Sequence, residues 1–499
     1  MTRAWVRELA GWLSAAAVAL VTAGAVASSP RADLLFRDGD SLVVAMLARS
    51  LLAGEPLDWA MSSVLFLPES AAFTALDAGL PADVNALFAI SAVVNLLALY
   101  GGIRLAAGRA RAGSAPVAWS VVALSAFGAL AMTDVSASRE ALDLASLQLT
   151  TTYYSATVVG VVVTIGIVRR MVDNRELRAW PLIALGIVAL VSTLSNPLYA
   201  AWAMVPLVIV LAVATISSEL RSRTSVIIVV LLTGAMIGFL ARIPFAAWIT
   251  QTGVEYVHPE RWHDSIDYYA RLVGERMQSP PGAIGLLITA ALLAVAVVRT
   301  VRPRQPGSRL VAAMAWVAPT VVVIGAIALG THAARYLQPV AFAPVLALVA
   351  APHALRVSER VRRTAAVMAG VVLLIIGGLS IPRLADAAAR PDADLTCVAD
   401  WVDASGRTGA GQFWTVRLPK LHLTDPSRLV QVDHQLNAYA WLVNRADFAA
   451  GEVSFLVEDA QTVPWDLPEA LLPEMIVDCG RYSILDFGAE TLPLGPQRS

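Results

Sequence analysis

The sequence predicts a polytopic α-helical membrane protein with about eleven spans, followed by a small α/β domain outside the cytoplasm. Three observations carry that reading. The 499 residues are 57% hydrophobic and only 15% charged, against about a quarter charged in soluble domains. Apolar runs near the length that crosses a bilayer recur through most of the chain. The charge then changes sign: residues 1–380 hold 28 Lys+Arg against 21 Asp+Glu, and residues 381–499 hold 9 against 17. The division implied is a basic membrane body, 1–381, and an acidic tail domain, 382–499. No basic stripe of the kind that binds nucleic acid is present.

The first span, 8–28, follows Arg3 and Arg7. "AVASS" at its end resembles a signal-peptidase site, but the apolar run exceeds a signal core, so the segment reads as an uncleaved anchor. Further spans fall at 83–103, 116–133, 152–168, 180–195, 197–217, 225–245, 282–300, 310–330, 336–353 and 364–381. Only "SNPL" separates 180–195 from 197–217, which predicts a tight hairpin at the outer face. With the N-terminus inside, the inner segments carry 19 arginines and the longer outer loops 9, as the positive-inside rule requires. An odd number of spans then places the tail outside. The protein is expected in the plasma membrane, crossing it many times.

Two outer loops are long. In loop 29–82, the piece 41–53 is apolar but too short to span and suits a helix lying in the interface. "PESAAFTALDAG" reads as a second short helix, and loop 246–281 is polar. The tail shows strand-like runs, "QFWTVRL", "RLVQVD", "VSFLVED" and "RYSILDF", between turn-rich stretches. Both cysteines, Cys397 and Cys479, lie there. Outside the cytoplasm a disulfide is the natural reading; two buried free thiols are the alternative. Lys420, the single lysine, says more about composition than mechanism.

The candidate chemistry starts at "RDGDSL", where Asp38 and Asp40 stand one residue apart just after the first span. The structural reading is that Asp40 or Ser41 caps the helix near Leu42 and that Asp38 is solvated. The functional reading uses the geometry of extended chain, in which residues i and i+2 point the same way. Gly39 also permits a bend. Two carboxylates could then face one substrate, share a divalent cation such as Mg or Mn, or act as general base and orienting partner. The second group is "THAARYLQPV", with His332, Arg335 and Tyr336 at the outer end of a span. An interfacial anchor explains it, as does a phosphate clamp, because guanidinium matches phosphate oxygens in a two-pronged fit. The third is "YVHPERWHDSIDYY", with His258, Arg261 and His263. Five residues apart is poor spacing for two metal ligands on one helix face, though loop geometry could bring them together. Trp59, Glu69, Asp134, Arg139 and Glu140 are lesser candidates, since a lone acid in an outer loop is usually solvated.

The layout resembles the GT-C superfamily of polyprenyl-phosphate-dependent membrane glycosyltransferases. The residues that carry the resemblance are "RDGDSL" after the first span, "DWAMSSVLFLPES" beyond it and "RYLQP" late in the membrane body. The tail pieces "GQFWTVRL", "WLVNRADF" and "CGRYSILDF" resemble the outer domain of large actinobacterial membrane proteins of that type. The resemblance implies an acidic catalytic centre at Asp38 and Asp40, and Arg335 near a lipid phosphate. Tyr336, His332, Trp59, Glu69, His258, Arg261 and His263 are secondary substrate-binding candidates. Several relatives place an acid in the hairpin where this chain has Asn196.

The expected activity is inverting transfer of a hexose or pentose from a polyprenyl-phosphate donor to an outer-face glycan, glycolipid or protein. The outer face lacks nucleotide-sugars, so a transferase there needs a donor carried by lipid. The short cytoplasmic connections leave no room for a nucleotide-binding domain, and no Walker-type glycine loop occurs. The alternatives are a lipid or polysaccharide transporter and a non-enzymatic envelope scaffold. The span interiors are almost free of charge and show no related halves, which disfavours the transporter.

Overall fold

A computed structural model describes residues 2–174, 178–214, 221–302, 305–354, 358–467 and 471–498. Arg175, Arg304 and Arg356, counted among the inner-loop arginines, lie outside the described residues, as does the end of span 197–217. The chain divides into two compact units. Unit 1 comprises Met1–Ala32, Phe88–Ile243 and Val254–Ala388; unit 2 comprises Asp33–Leu87, Pro244–Gly253 and Ala389–Ser499.

Unit 1 is helical. Among the described residues, seven helices are long and apolar enough to cross a membrane. They are Ala4–Ala27, Val84–Ala106, Ser155–Asp173, Ser222–Phe245, Pro280–Val301, Pro306–Ala328 and Arg363–Ala388. Leu287 and Leu379 on two of them are 71% and 70% exposed, surface that lipid accommodates and water does not. The chain is a multi-pass membrane protein. The other four expected spans are shorter apolar helices: Pro116–Met132, Ala179–Ser195, Ala200–Val213 and Ala334–Ala350.

The last of these corrects the expectation of one continuous span at 336–353. The segment is broken into a 3-10 turn, Ala334–Leu337, and two short helices, Pro339–Phe342 and Leu346–Ala350. Pro339 and Pro344 lack the amide that would continue the helix, and each ring clashes with the preceding turn. Loop 246–281, read as simply polar, holds the amphipathic helix Trp262–Met277. It buries Ser265, Tyr269 and Leu272, three or four residues apart on one face.

Unit 2 combines the first long loop with the tail. Its strands are β1 (Trp59–Ala60), β2 (Gly409–Gln412), β3 (Leu429–Val432), β4 (Asn437–Tyr439), β5 (Val443–Asn444), β6 (Glu452–Val453), β7 (Phe455–Glu458), β8 (Met475–Cys479), β9 (Tyr482–Asp486), β10 (Leu492–Pro493) and β11 (Gly495–Arg498). Seven form a mixed sheet in the order β11-β4-β3-β2-β7-β9-β8. β2 runs parallel to both β3 and β7. β1, from the first loop, pairs antiparallel with β5.

"RLVQVD", "VSFLVED" and "RYSILDF" contain strands, but "QFWTVRL" is corrected: β2 stops at Gln412 and the helix Phe413–His422 begins. Burial there does not alternate as a half-buried strand requires: Phe413 and all of 415–421 are buried, and the segment closes the crossover between two parallel strands, a connection usually made by a helix. β2, this helix and β3 make a parallel crossover unit. Val398, Val402, Phe455, Val457 and Ile484 build a core on the sheet. Cys397, on the helix Ala393–Ser405, is disulfide-bonded to Cys479 at the end of β8, with Cα atoms 5.6 Å apart.

Candidate functional site

In unit 2, Asp38 and Asp40 stand half-buried on either side of buried Gly39. Capping is not their task. The helix Val43–Ala53 begins at Leu42 with no side-chain cap. Asp38 Oδ2 instead accepts from the Ser41 amide at 3.2 Å, and Ser41 Oγ donates to the Leu34 carbonyl at 2.7 Å. The turn thus closes on itself and presents the Gly39 carbonyl outward. Arg417 Nε donates to that carbonyl at 2.7 Å.

Arg417 is the residue that sequence reasoning missed. It is fully buried on the helix Phe413–His422. Its Nη1 donates to the Leu442 carbonyl and to Gln431 Oε1, and its guanidinium lies 4.8 Å from the centre of the Phe413 ring, one helical turn back. Nη2 has no hydrogen-bond partner among the described residues. Burial pushes the guanidinium down to about 10, against the pull of Asp40 and then Asp38. Both carboxylates therefore act on this buried cation. The signal for Arg417 was present in the F-x-x-x-R-x-x-K spacing of "FWTVRLPK", which the strand reading concealed.

Gly39 is required for close approach rather than for a left-handed bend, since it is not among the glycines with positive φ. A Cβ there would lie 3.1 Å from the Trp414 ring and 3.3 Å from the Phe413 ring. The aspartate turn is seated against the first turn of a helix that follows the carboxyl end of a parallel strand, the usual ligand position in open α/β sheets. Among the described residues no group of three or more His, Cys, Asp and Glu assembles; Asp38 and Asp40 are the carboxylates that would hold a Mg or Mn ion, which takes one or two of them together with substrate phosphate and water.

Trp59 and Glu69 are also in unit 2, and both are buried. Trp59 sits in β1 opposite Asn444. Glu69 lies in the first turn of the helix Leu67–Gly79, where a carboxylate suits the helix dipole.

The second charged centre belongs to unit 1. Arg335 Nη1 pairs with Glu140 Oε1 at 3.2 Å, and its guanidinium lies 5.5 Å and 5.9 Å from the Tyr336 and Tyr256 ring centres. Tyr336 also stacks on Tyr154. His332 is exposed and stacks on Tyr268 at 5.1 Å; burial raises the Tyr268 phenol to about 12. His258 Nδ1 is 3.4 Å from Glu260, and Arg261 and His263 are exposed. Neither histidine joins a metal-capable group among the described residues.

Asp134 is not a solvated acid, as its loop position suggested. It is fully buried and pairs with Arg276 at 2.8 Å. Asp143 pairs with the same guanidinium, and Arg31 donates to the Asp143 carbonyl and to Ser146 Oγ. Burial raises the Asp134 carboxyl, opposed by Arg276. These four buried charges hold the loop 133–150 in place. Arg139 lies within 3.9 Å of Glu140, half-exposed.

No protein-family model matches the chain, and no curated protein sequence matches it.

Proposed function

We propose that this protein is an inverting membrane glycosyltransferase that moves a hexose or pentose from a polyprenyl-phosphate donor to an outer-face glycan, glycolipid or protein. The observation that carries the proposal is the half-buried Asp38–Gly39–Asp40 turn held by the buried Arg417. The resemblance of "RDGDSL" and "RYLQP" to the GT-C superfamily supports it. In the same reading the four shorter apolar helices complete eleven spans, the N-terminus is cytoplasmic and unit 2 is extracytoplasmic. The Cys397–Cys479 disulfide supports that side, because such bonds persist in oxidising compartments.

The chemistry asks little of the protein. A polyprenyl phosphate is a good leaving group, so the site has to position the reactants and take one proton from the acceptor hydroxyl. Asp38 or Asp40 takes that proton as the hydroxyl oxygen attacks the anomeric carbon and the carbon–phosphate-oxygen bond breaks. Arg417 acts as a positioning residue through the Gly39 carbonyl. In unit 1, Arg335 is the contact for a lipid phosphate. Its partner Glu140 is 44% exposed and can be displaced by a phosphate oxygen.

The test is label transfer in membranes that carry wild-type protein, Asp38→Asn, Asp40→Asn or Arg335→Ala, with the anomeric configuration of the product read by NMR. Loss of about 100-fold or more in at least one aspartate variant is expected for removal of a general base. Undiminished transfer in all three variants would sink the assignment.

A further inference from the structure

In unit 1, the helix Trp262–Met277 divides its surface three ways. Ser265, Tyr269 and Leu272 are buried, the Arg276 side chain nearly so, and together they form the inner face. Polar bonds fix that face. Ser265 Oγ donates to the Thr331 carbonyl at 3.2 Å, Tyr269 Oη shares a hydrogen bond with Thr331 Oγ1 at 3.1 Å, and Arg276 pairs with Asp134 and Asp143. Held near both ends, the helix cannot roll about its axis. Asp264, Asp267, Arg271 and Glu275 make an exposed polar face. The third stripe is Trp262, Ile266, Ala270, Val273 and Met277, again three or four residues apart. Its four large side chains are between 37% and 61% exposed. Single exposed apolar residues are ordinary on a protein surface, but a continuous stripe of them marks a membrane or a partner.

The anchors also set the height of the helix. Thr331 stands three residues past the end of the span Pro306–Ala328, and Met277 three residues before the start of the span Pro280–Val301. Only residues 302–305 separate these two spans, so that end and that start lie at the same membrane surface. Tyr269, bonded at the first, and Met277, beside the second, are about 12 Å apart along the helix. The helix therefore runs along the membrane surface, across the ends of two spans. Exposed apolar side chains continue from it onto both: Ile284 and Leu287 near the start of one, Ile324 near the end of the other. The lipid that covers those residues reaches the stripe as well. On the polar face three acids stand against Arg271, so anionic headgroups are not what holds the helix. Trp262, in its first turn, suits the headgroup level. We infer that the helix Trp262–Met277 docks on the lipid bilayer, with Trp262, Ile266, Val273 and Met277 immersed where headgroups meet acyl chains. The inference is independent of the transfer reading, which uses none of these four residues.

The experiment is EPR power saturation on the full chain in nanodiscs of dioleoylphosphatidylcholine, a zwitterionic lipid. Trp262→Cys, Ile266→Cys, Val273→Cys and Met277→Cys each carry a nitroxide on the stripe. Asp264→Cys, Asp267→Cys and Glu275→Cys report the polar face, and Leu287→Cys on the adjoining span is the lipid-facing reference. Cys397 and Cys479 are bonded to each other, so only the introduced thiol reacts. The helix positions chosen are all exposed, which leaves the inner-face bonds intact. Oxygen concentrates in lipid, whereas a nickel–EDDA complex stays in water. Immersion by about 5–10 Å should raise the ratio of oxygen to nickel accessibility on the stripe about threefold or more above the polar face, towards the Leu287 value. Equal ratios on the two faces would put the stripe in water. A stripe shielded from both reagents would put a protein partner or a second copy on it. Either result would overturn the inference.

Discussion

Arg417 is sealed from solvent and spends its guanidinium on the carbonyls of Gly39 and Leu442, whereas Arg335, 15% exposed, pairs with the half-exposed side chain of Glu140. The first is anchored to backbone and faces two acids on one turn. The second rests on tyrosine rings and one replaceable acid. Backbone anchors cannot rotate away, so Arg417 suits holding a turn in place. A side-chain partner on a half-exposed acid can swing aside, so Arg335 suits exchange with an incoming anion. The kind of partner, backbone carbonyl or side-chain carboxylate, separates a positioning cation from a binding one.

That contrast can be broken by removing each cation in turn. Arg417→Met leaves two buried carbonyls unpaired and two carboxylates unopposed, and is expected to cost about 3–5 kcal/mol. Arg335→Met removes a part-exposed pair and should cost about 0–1 kcal/mol. Thermal melts of the two variants decide: equal losses would erase the distinction. Opening the disulfide with Cys397→Ser and Cys479→Ser should cost about 2–4 kcal/mol, seen as a lowered melting temperature in unit 2 alone.

A subtler intervention leaves the charges in place. Gly39→Ala adds a methyl against the Trp414 and Phe413 rings, and overpacking of that kind costs about 1–3 kcal/mol. It should displace the aspartate turn and lower transfer more than it lowers stability. Transfer at the wild-type rate would show that the close seating of the turn is dispensable.

The smallest effect is acid sensitivity at Asp486. Hydrogen bonds from Arg407 hold its carboxyl below the usual range in the folded state. The pair's contribution is present above the unfolded value of 3.8 and is lost as pH falls through the lower folded value. Because Arg407 is 32% exposed, about 1 kcal/mol is at stake. Asp486→Asn should flatten the acid limb of a stability profile below about pH 4.

Much of the architecture was legible because bilayer length and apolar composition speak directly. The first span and the two short helices of the first loop follow from local patterns, whereas the Cys397–Cys479 bridge followed from the expected outer placement of the tail. The broken segment at 334–350 was less so, since its apolar composition masked what Pro339 and Pro344 do to backbone bonding. Arg417 stayed hidden for a different reason. "QFWTVRL" alternates well enough to pass for a strand, and only the tertiary seat against Gly39 reveals its charged residue as buried. Asp134 likewise looked like a loop acid until its partner, Arg276, arrived from more than a hundred residues away.

The most direct measurement reconstitutes the purified chain in liposomes and supplies labelled polyprenyl-phosphate hexoses and pentoses with a soluble oligosaccharide acceptor. Wild-type protein should transfer label from at least one donor. The Asp38→Asn/Asp40→Asn double variant, melting at the wild-type temperature, should retain less than about one hundredth of that rate. Transfer by the double variant at the wild-type rate would contradict the assignment of the Asp38–Gly39–Asp40 turn as the catalytic centre.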